Sequence, residues 1–269
     1  MTSNYQNPTI LEDARSVIEE ARAEGAEEFY ALVSGGKDSL TVADVAHRLG
    51  VLDGIIYVDT TIRVAETLEH VKKTAQEQGW PDPIVLTAKR DYTRFVEKYG
   101  FPRAATHSWV FNELKWKPLR DFRRDTKDRS ICFLSGVRRK ESRRRMGTVK
   151  RVYRDPSDST GRMLWAAPLI DQSTPQVLEY LEKRGIAISP AYSKIGISGD
   201  CLCGAYSRSG EAELIARHYP EVAVQIAKLE RSVAHRAEQR TWGNGSTITG
   251  AQEQQSIEEY ACFDCSTSD

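Results

Sequence analysis

An open, mostly parallel, doubly wound α/β sheet with flanking helices, followed by a small cysteine-containing helical appendage, is the fold class that the sequence predicts. Three observations predict it. Short, nearly continuous apolar runs, residues 29–33 (Phe-Tyr-Ala-Leu-Val) and 54–58 (Gly-Ile-Ile-Tyr-Val), are what strands covered on both faces require. Between and after them lie stretches with helical apolar spacing, and strands alternating with helices imply βαβ units with right-handed crossovers. The chain of 269 residues is long enough to bury one sizeable core without disulfides.

Residues 9–24 set Ile10, Leu11, Ala14, Val17, Ile18 and Ala21 along one stripe of an entering helix. The strand 29–33 runs into a glycine-containing turn, after which Leu40, Val42, Ala43, Val45, Ala46 and Leu49 spell a buried helix stopped by Gly50. The strand 54–58 ends at Asp59. A helix over 64–78, a strand over 84–86 and a helix over 91–98 continue the alternation, and 131–134 and 163–166 are further strands. Ser173-Thr174-Pro175 supplies a cap and an early proline for a helix carrying Val177, Leu178, Tyr180 and Leu181. From Gly196 the composition shifts to Gly, Ser and Cys, followed by a helical stretch over 211–240 and a polar segment over 243–255. Three parts are therefore expected: an N-terminal helix (1–27), a nucleotide-binding domain (28–195) and a cysteine-containing C-terminal region (196–269).

The formal net charge is zero, with 38 basic and 38 acidic residues, so total charge indicates no polyanionic partner. Its distribution is uneven. Residues 115–154 hold 16 Lys or Arg against 4 Asp or Glu, whereas residues 1–79 hold 7 against 14. A central basic segment can concentrate phosphate groups, or it can be a solvated face without a ligand. No apolar run reaches the length of a membrane span, and Met1 to Gln6 lack the features of a signal peptide, so a cytoplasmic protein is expected. Five cysteines in a reducing compartment favour metal, cluster or thiol chemistry over disulfides.

The most informative segment is Ser34-Gly35-Gly36-Lys37-Asp38-Ser39, between the first strand and the following helix. Backbone N–H groups and the positive end of a helix converge there, which makes an anion site. The two glycines allow phosphate oxygens to come close, Ser34 and Ser39 add hydroxyls, and Lys37 adds a full charge. Asp38 beside phosphates is tolerable if it bridges through Mg2+ or orients the loop by hydrogen bonds. The Walker spacing of glycines and lysine is absent. In an open sheet the loops after residues 33 and 58 lie together beyond the strand ends, where ligands bind.

Ser-Gly-Gly-x-Asp-Ser after a first strand resembles the PP-loop of the ATP pyrophosphatases. Val58-Asp59-Thr60-Thr61-Ile62-Arg63-Val64-Ala65-Glu66-Thr67, Lys115-x-Lys117-Pro118-Leu119 and Gly136-Val137-Arg138-Arg139-Lys140-Glu141-Ser142 resemble the phosphoadenosine phosphosulfate reductase branch of that superfamily, whose fold is adenine nucleotide alpha hydrolase-like. The resemblance spans roughly residues 28–206. It implies that Ser34, Gly35, Gly36, Asp38 and Ser39 grip the pyrophosphate portion of ATP with Mg2+ assisting, and Lys37 joins them by its charge. It also implies that Asp59, Thr60, Arg63, Gly136, Val137 and Arg138 complete the nucleotide site. Gly136 would let the backbone approach the adenine and Arg138 would reach a phosphate, so Lys37, Asp38 and Arg138 are the catalytic candidates.

Beyond one nucleotide's needs, Arg138, Arg139, Lys140, Arg143, Arg144 and Arg145 with Trp109, Phe111, Trp116 and Tyr153 nearby can form either a nucleic-acid groove with stacking aromatics or a basic face over core aromatics. His107 is either a ligand or proton donor, or structural. Cys201, Cys203, Cys262 and Cys265 form two close pairs, suited to a 4Fe-4S cluster or to zinc, with buried thiols as the plain alternative.

Two enzymatic functions follow from the resemblance. One is an ATP pyrophosphatase that adenylates an acceptor in sulfur transfer, as in tRNA thiolation or DNA phosphorothioation. The other is a reductase in which a thiolate attacks the sulfur of an adenylyl sulfate, releasing sulfite after thioredoxin acts. The loop is complete, and the Glu-Cys-Gly-x-His tail of the reductases is missing, since the chain carries Cys262-Phe263-Asp264-Cys265 there. Both features favour the first. A third possibility is a non-catalytic nucleotide-binding module docked to a sulfur-transfer partner. The expected partners are an adenine nucleotide, a nucleic-acid acceptor (tRNA or DNA), a cysteine desulfurase or thioredoxin, and a second copy in a homodimer, with no membrane.

Overall fold

The computed structural model describes residues 9–141, 149–156, 158 and 160–243. A six-stranded sheet runs through it in the order β3-β2-β1-β4-β6-β5, formed by β1 (Glu28–Leu32), β2 (Leu52–Asp59), β3 (Pro83–Thr87), β4 (Ile131–Leu134), β5 (Val152–Arg154) and β6 (Leu164–Ala166). All neighbours pair in parallel except β5, which lies antiparallel to β6 at one edge. β1 has β2 on one side and β4 on the other, so the winding reverses at its carboxyl end, where an open sheet forms its crevice.

Local chemistry fixes the helices. In α1 (Ile10–Ala23), Thr9 and Glu12 cap each other's backbone, and Ala14, Val17, Ile18 and Ala21 are buried. α2 (Lys37–Arg48) starts from the phosphate loop with Gly36 at its N-cap, and α3 (Ala65–Gln78) stops at Gly79 in the left-handed conformation. Asp91 caps α4 (Tyr92–Tyr99). α5 (His107–Phe111), a π-helical turn (Asn112–Trp116) and α6 (Lys117–Asp125) make one helical path. A capping box of Ser173 and Gln176 with Pro175 opens α7 (Thr174–Arg184). The C-terminal part adds α8 (Ala191–Ile195), α9 (Glu211–His218) and α10 (Pro220–Ser232).

The helix expected over 211–240 is thus two helices ending at Ser232. Pro220 has no N–H to donate, and Tyr219 before it adopts φ −140°, so the path turns there. β5 and the helices over 107–125 were not expected. A strand of three residues shows no period, and the polar 117–125 stretch buries only Pro118, Leu119 and Arg123.

Strand alternation divides the core. Phe29, Ala31 and Val33 face a cluster built with Val17, Leu40, Ala43 and Val177 from α1, α2 and α7. Tyr30, Ile56, Phe133 and Trp165 face the other side, where Trp116 stacks on Trp165 at 5.2 Å and 6° and Tyr153 lies over Trp165 at 6.3 Å. A third cluster joins Phe95, Val110 and Leu114 to Leu202, Ile215 and Ile226, so the residues after 196 pack on α4 and α5. No helix among the described residues is long and apolar enough to cross a membrane.

Candidate nucleotide-binding site

The loop after β1 is wound on its own hydroxyls. Ser39 Oγ accepts from Ser34 N at 3.1 Å, lies 3.1 Å from Ser34 Oγ and donates to Gly36 O at 3.0 Å. Both serines are buried, at 3% and 1% exposure. Gly35 adopts φ +80°, and a Cβ there would lie 3.1 Å from Thr67 Cγ2 and 3.3 Å from Ser189 Cβ, so glycine is required twice over. Gly35 O accepts from Ser189 N at 2.9 Å, which binds the loop to the segment before α8.

Asp38 does not stand as an isolated charge in the anion site. Its Oδ1 accepts from Arg138 Nε at 2.8 Å, and its Oδ2 lies 3.2 Å from Lys37 Nζ. Arg138 is 1% exposed and also donates to Gln172 O at 3.2 Å and Thr174 Oγ1 at 3.1 Å. The arginine expected to reach a phosphate therefore grips Asp38 and the start of α7. Gly136, expected to let backbone approach the adenine, makes its close approach to α2: a Cβ would sit 2.8 Å from Asp38 Cβ and 2.9 Å from Asp38 C. The loop after β4 is fitted to the first turn of α2, and Val137 beside it is buried.

The turn after β2 is equally fixed. Asp59 pairs with Arg63 at 2.9 Å, and Thr60 Oγ1 donates to Asp200 O at 2.8 Å. Thr61 has φ 60°, costly for a β-branched residue. It is held by Asp59 Oδ1 accepting from its N–H (2.8 Å) and by its own Oγ1 accepting from Tyr92 N (2.8 Å).

Between these loops opens a pocket lined by Val33, Ser34, Tyr57, Phe111, Lys115 and Asp200, among others. Lys115 Nζ donates to Asp200 Oδ2 at 2.8 Å, and both side chains are about nine-tenths buried, at 10% and 9% exposure. Ser198 Oγ donates to Asp200 Oδ1 at 2.6 Å. The Tyr57 hydroxyl has no hydrogen-bond partner among the described residues, and burial followed by the nearby Asp200 carboxylate pushes its pKa up. Tyr57, Asp200 and Ser189 line or brace these loops and were not legible in the sequence: Tyr57 sits in an apolar run, and the other two are far away in sequence.

A second pocket, lined by His107, Lys115 and Cys201, adjoins the first through Phe111 and Lys115. His107 is 1% exposed with the Tyr206 ring 4.7 Å away, a packed aromatic position. Cys203 is buried in the third apolar cluster and Cys201 packs at its margin. Among the described residues no three His, Cys, Asp or Glu side chains are grouped to hold a metal ion. Cys262 and Cys265 lie outside the described residues, as do Arg143, Arg144 and Arg145.

Much of the central basic segment is matched within the molecule. Arg129 pairs with Glu28, Arg151 with Glu20 at 2.9 Å, Arg154 with Glu24 at 3.9 Å and Arg139 with Asp171. Arg123 is spent on the carbonyls of Thr126, Arg129 and Arg162. The acidic N-terminal and basic central segments thus meet across the fold. Of the aromatics expected to stack on bases, Trp116 and Tyr153 are in the internal stack on Trp165, and Trp109 is 58% exposed.

The phosphoadenosine phosphosulfate reductase domain matches residues 28–243. An uncharacterized protein of Methanocaldococcus jannaschii is 24% identical over 191 residues, 70% of this chain and 44% of that protein. The chain therefore spans less than half the length of the curated relative it matches. Among solved structures, a phosphoadenylyl-sulfate reductase from Candida auris in its phosphate complex is similar with a TM-score of 0.52 and 16% identity, covering 72% of this chain and 88% of that one. A U34-tRNA thiolase from Methanococcus maripaludis with its 4Fe-4S cluster has a TM-score of 0.46 and 14% identity, covering 95% and 89%.

Proposed function

The chain belongs to the phosphoadenosine phosphosulfate reductase domain family, and from that premise we propose that it is a PP-loop ATP pyrophosphatase that adenylates an acceptor for sulfur transfer. The observation that carries the reading is the complete loop Ser34 to Ser39, wound on its own hydroxyls at the start of α2, with its one carboxylate already compensated by Lys37 and Arg138. The internal bonds fix the loop's shape, so that the N–H groups at the start of α2 and Lys37 are in place for the departing pyrophosphate.

In the reaction, an acceptor oxygen attacks the α-phosphorus and forms a new O–P bond. The bond from that phosphorus to the bridging oxygen breaks, and pyrophosphate leaves with the electron pair. The N–H groups at the start of α2 and Lys37 face the charge that develops on pyrophosphate. Arg138 acts on this site through Asp38, which it holds, and is a positioning residue.

Mg2+, when bound, would screen phosphate charge. Asp38 and Asp59 are each engaged by guanidinium groups, so the described residues offer it no free pair of carboxylates, and Mg2+ would be carried mainly on phosphate oxygens and water. For a cluster or zinc, Cys201 and Cys203 alone are two ligands of the four such a site takes.

Reduction of an adenylyl sulfate is the second reading, favoured by the family match itself. Anaerobic incubation of the protein with Mg2+, reduced thioredoxin or another dithiol, and either ATP or adenylyl sulfate separates the two. AMP and pyrophosphate from ATP are expected, and sulfite released from adenylyl sulfate would reverse the assignment.

A further inference from the structure

Beside the phosphate loop, the pocket at the ends of β1 and β2 has mostly apolar walls, and its ionisable groups are Tyr57, Lys115 and Asp200. Lys115 gives it one positive charge, and Asp200, 2.8 Å away and itself buried, cancels it. Asp200 is held in place for that task by Ser198 Oγ on its carboxylate and by Thr60 Oγ1 on its backbone carbonyl. Tyr57 is 1% exposed and its hydroxyl has no hydrogen-bond partner among the described residues. Burial keeps that hydroxyl protonated, so it is a donor. A buried donor left unpaired is costly, and because Tyr57 lines the pocket, an acceptor atom of a ligand entering there would relieve that cost.

We propose that the pocket lined by Tyr57, Lys115 and Asp200 receives the reacting group of the acceptor as an uncharged carbonyl hydrogen-bonded by Tyr57, and that Asp200 determines specificity by neutralising Lys115 and so excluding an oxyanion. The inference rests on the reading of the loop as an ATP site. Ser34 belongs to both the loop and the pocket wall, so a group joined to the α-phosphate lies within reach of the pocket. A sulfate placed there would meet the Asp200 carboxylate in surroundings that screen poorly, whereas a carbonyl would lose nothing by its lack of charge.

The test titrates the full chain, by calorimetry, with AMP, adenosine 5′-phosphosulfate and adenosine 5′-(2-oxopropyl)phosphonate, whose outer acetyl group is an uncharged ketone. Wild type should bind the acetyl compound at least tenfold more tightly than AMP, and the phosphosulfate no more tightly than AMP. Asp200→Asn should gain at least tenfold for the phosphosulfate, with AMP changed less than twofold. Tyr57→Phe should lose about tenfold for the acetyl compound alone.

If Asp200→Asn does not fold, Lys115→Met replaces it and should weaken the phosphosulfate at least tenfold further while keeping the acetyl compound. A wild-type preference for the phosphosulfate, or an Asp200→Asn variant with the wild-type order, sinks the proposal. Equal loss of all three ligands in Tyr57→Phe would put the nucleotide's base in the pocket and also reject it. Failure of all three to bind would instead overturn the nucleotide reading of the loop, and the inference with it.

Discussion

Arg138, expected from its motif to reach a phosphate, is bonded in the fold to the carboxylate of the loop itself. Its guanidinium is 1% exposed and joins Asp38, Gln172 and Thr174, so its removal leaves a mostly buried carboxylate short of its main partner. Arg138→Ala is expected to cost about 3 kcal/mol in urea denaturation, in line with the loss of one member of a buried pair. Arg138→Lys should cost less, because it keeps the charge while losing the fork. Gly136→Ala tests the neighbouring contact. Its methyl group would fall 2.8 Å from Asp38 Cβ, so the first turn of α2 must shift, at about 1–3 kcal/mol. ATP affinity by calorimetry should drop at least tenfold while the far-ultraviolet circular dichroism stays that of wild type.

Among the elements, α3 ties the sheet domain to the C-terminal helices through a charged side chain. Glu66 on α3 accepts from Lys194 Nζ at 2.7 Å and from Tyr219 Oη at 2.8 Å, and these bonds, that to Lys194 first, hold its carboxyl below the usual carboxylate range. A depressed folded pKa gives stability that is complete above the unfolded value, about 4.3, and is lost as pH falls through the folded value. Glu66→Gln should therefore be less stable than wild type at pH 7, and the two denaturation midpoints should converge as pH is lowered towards 3. A gap that is constant over that range would show that the carboxylate charge contributes nothing. α2 and α7 are joined in a similar way, with Asp44 fully buried and accepting from Tyr180 Oη at 2.7 Å and Arg184 Nε at 2.8 Å. Tyr180→Phe is expected to cost about 1 kcal/mol in the same measurement.

At the scale of the whole molecule, the region after residue 196 is stitched to the nucleotide loops as well as packed beside them. Thr67 Oγ1 donates to Ser198 O at 2.7 Å, Val64 N to Gly199 O at 2.8 Å and Leu202 N to Ile62 O at 2.7 Å. The third apolar cluster takes members from both sides of that boundary. A chain ended after Ile195 is expected to expose Phe95, Val110 and Leu114, to bind a hydrophobic dye strongly and to lose ATP binding. An ended chain that stays monomeric, dye-negative and nucleotide-binding would show that residues 28–195 stand alone. Charge also balances only at this scale, since the acidic N-terminal segment supplies Glu20, Glu24 and Glu28 to Arg151, Arg154 and Arg129 of the basic one.

The sequence by itself determined the sheet, its parallel winding and the phosphate loop, because each is written in neighbouring residues. Apolar runs of five, caps such as Ser173 and Gln176, and the spacing Ser34 to Ser39 are local chemistry that needs no partner to be recognised. What Asp38, Gly136 and Arg138 do to one another was decided only by the tertiary structure, across 100 residues of sequence in the case of Asp38 and Arg138. The same holds for Tyr57, Lys115 and Asp200, of which the last two meet across 85 residues. Pairing and desolvation depend on distance in space, and a basic segment looks like a surface for phosphate until the acids that neutralise it are folded against it.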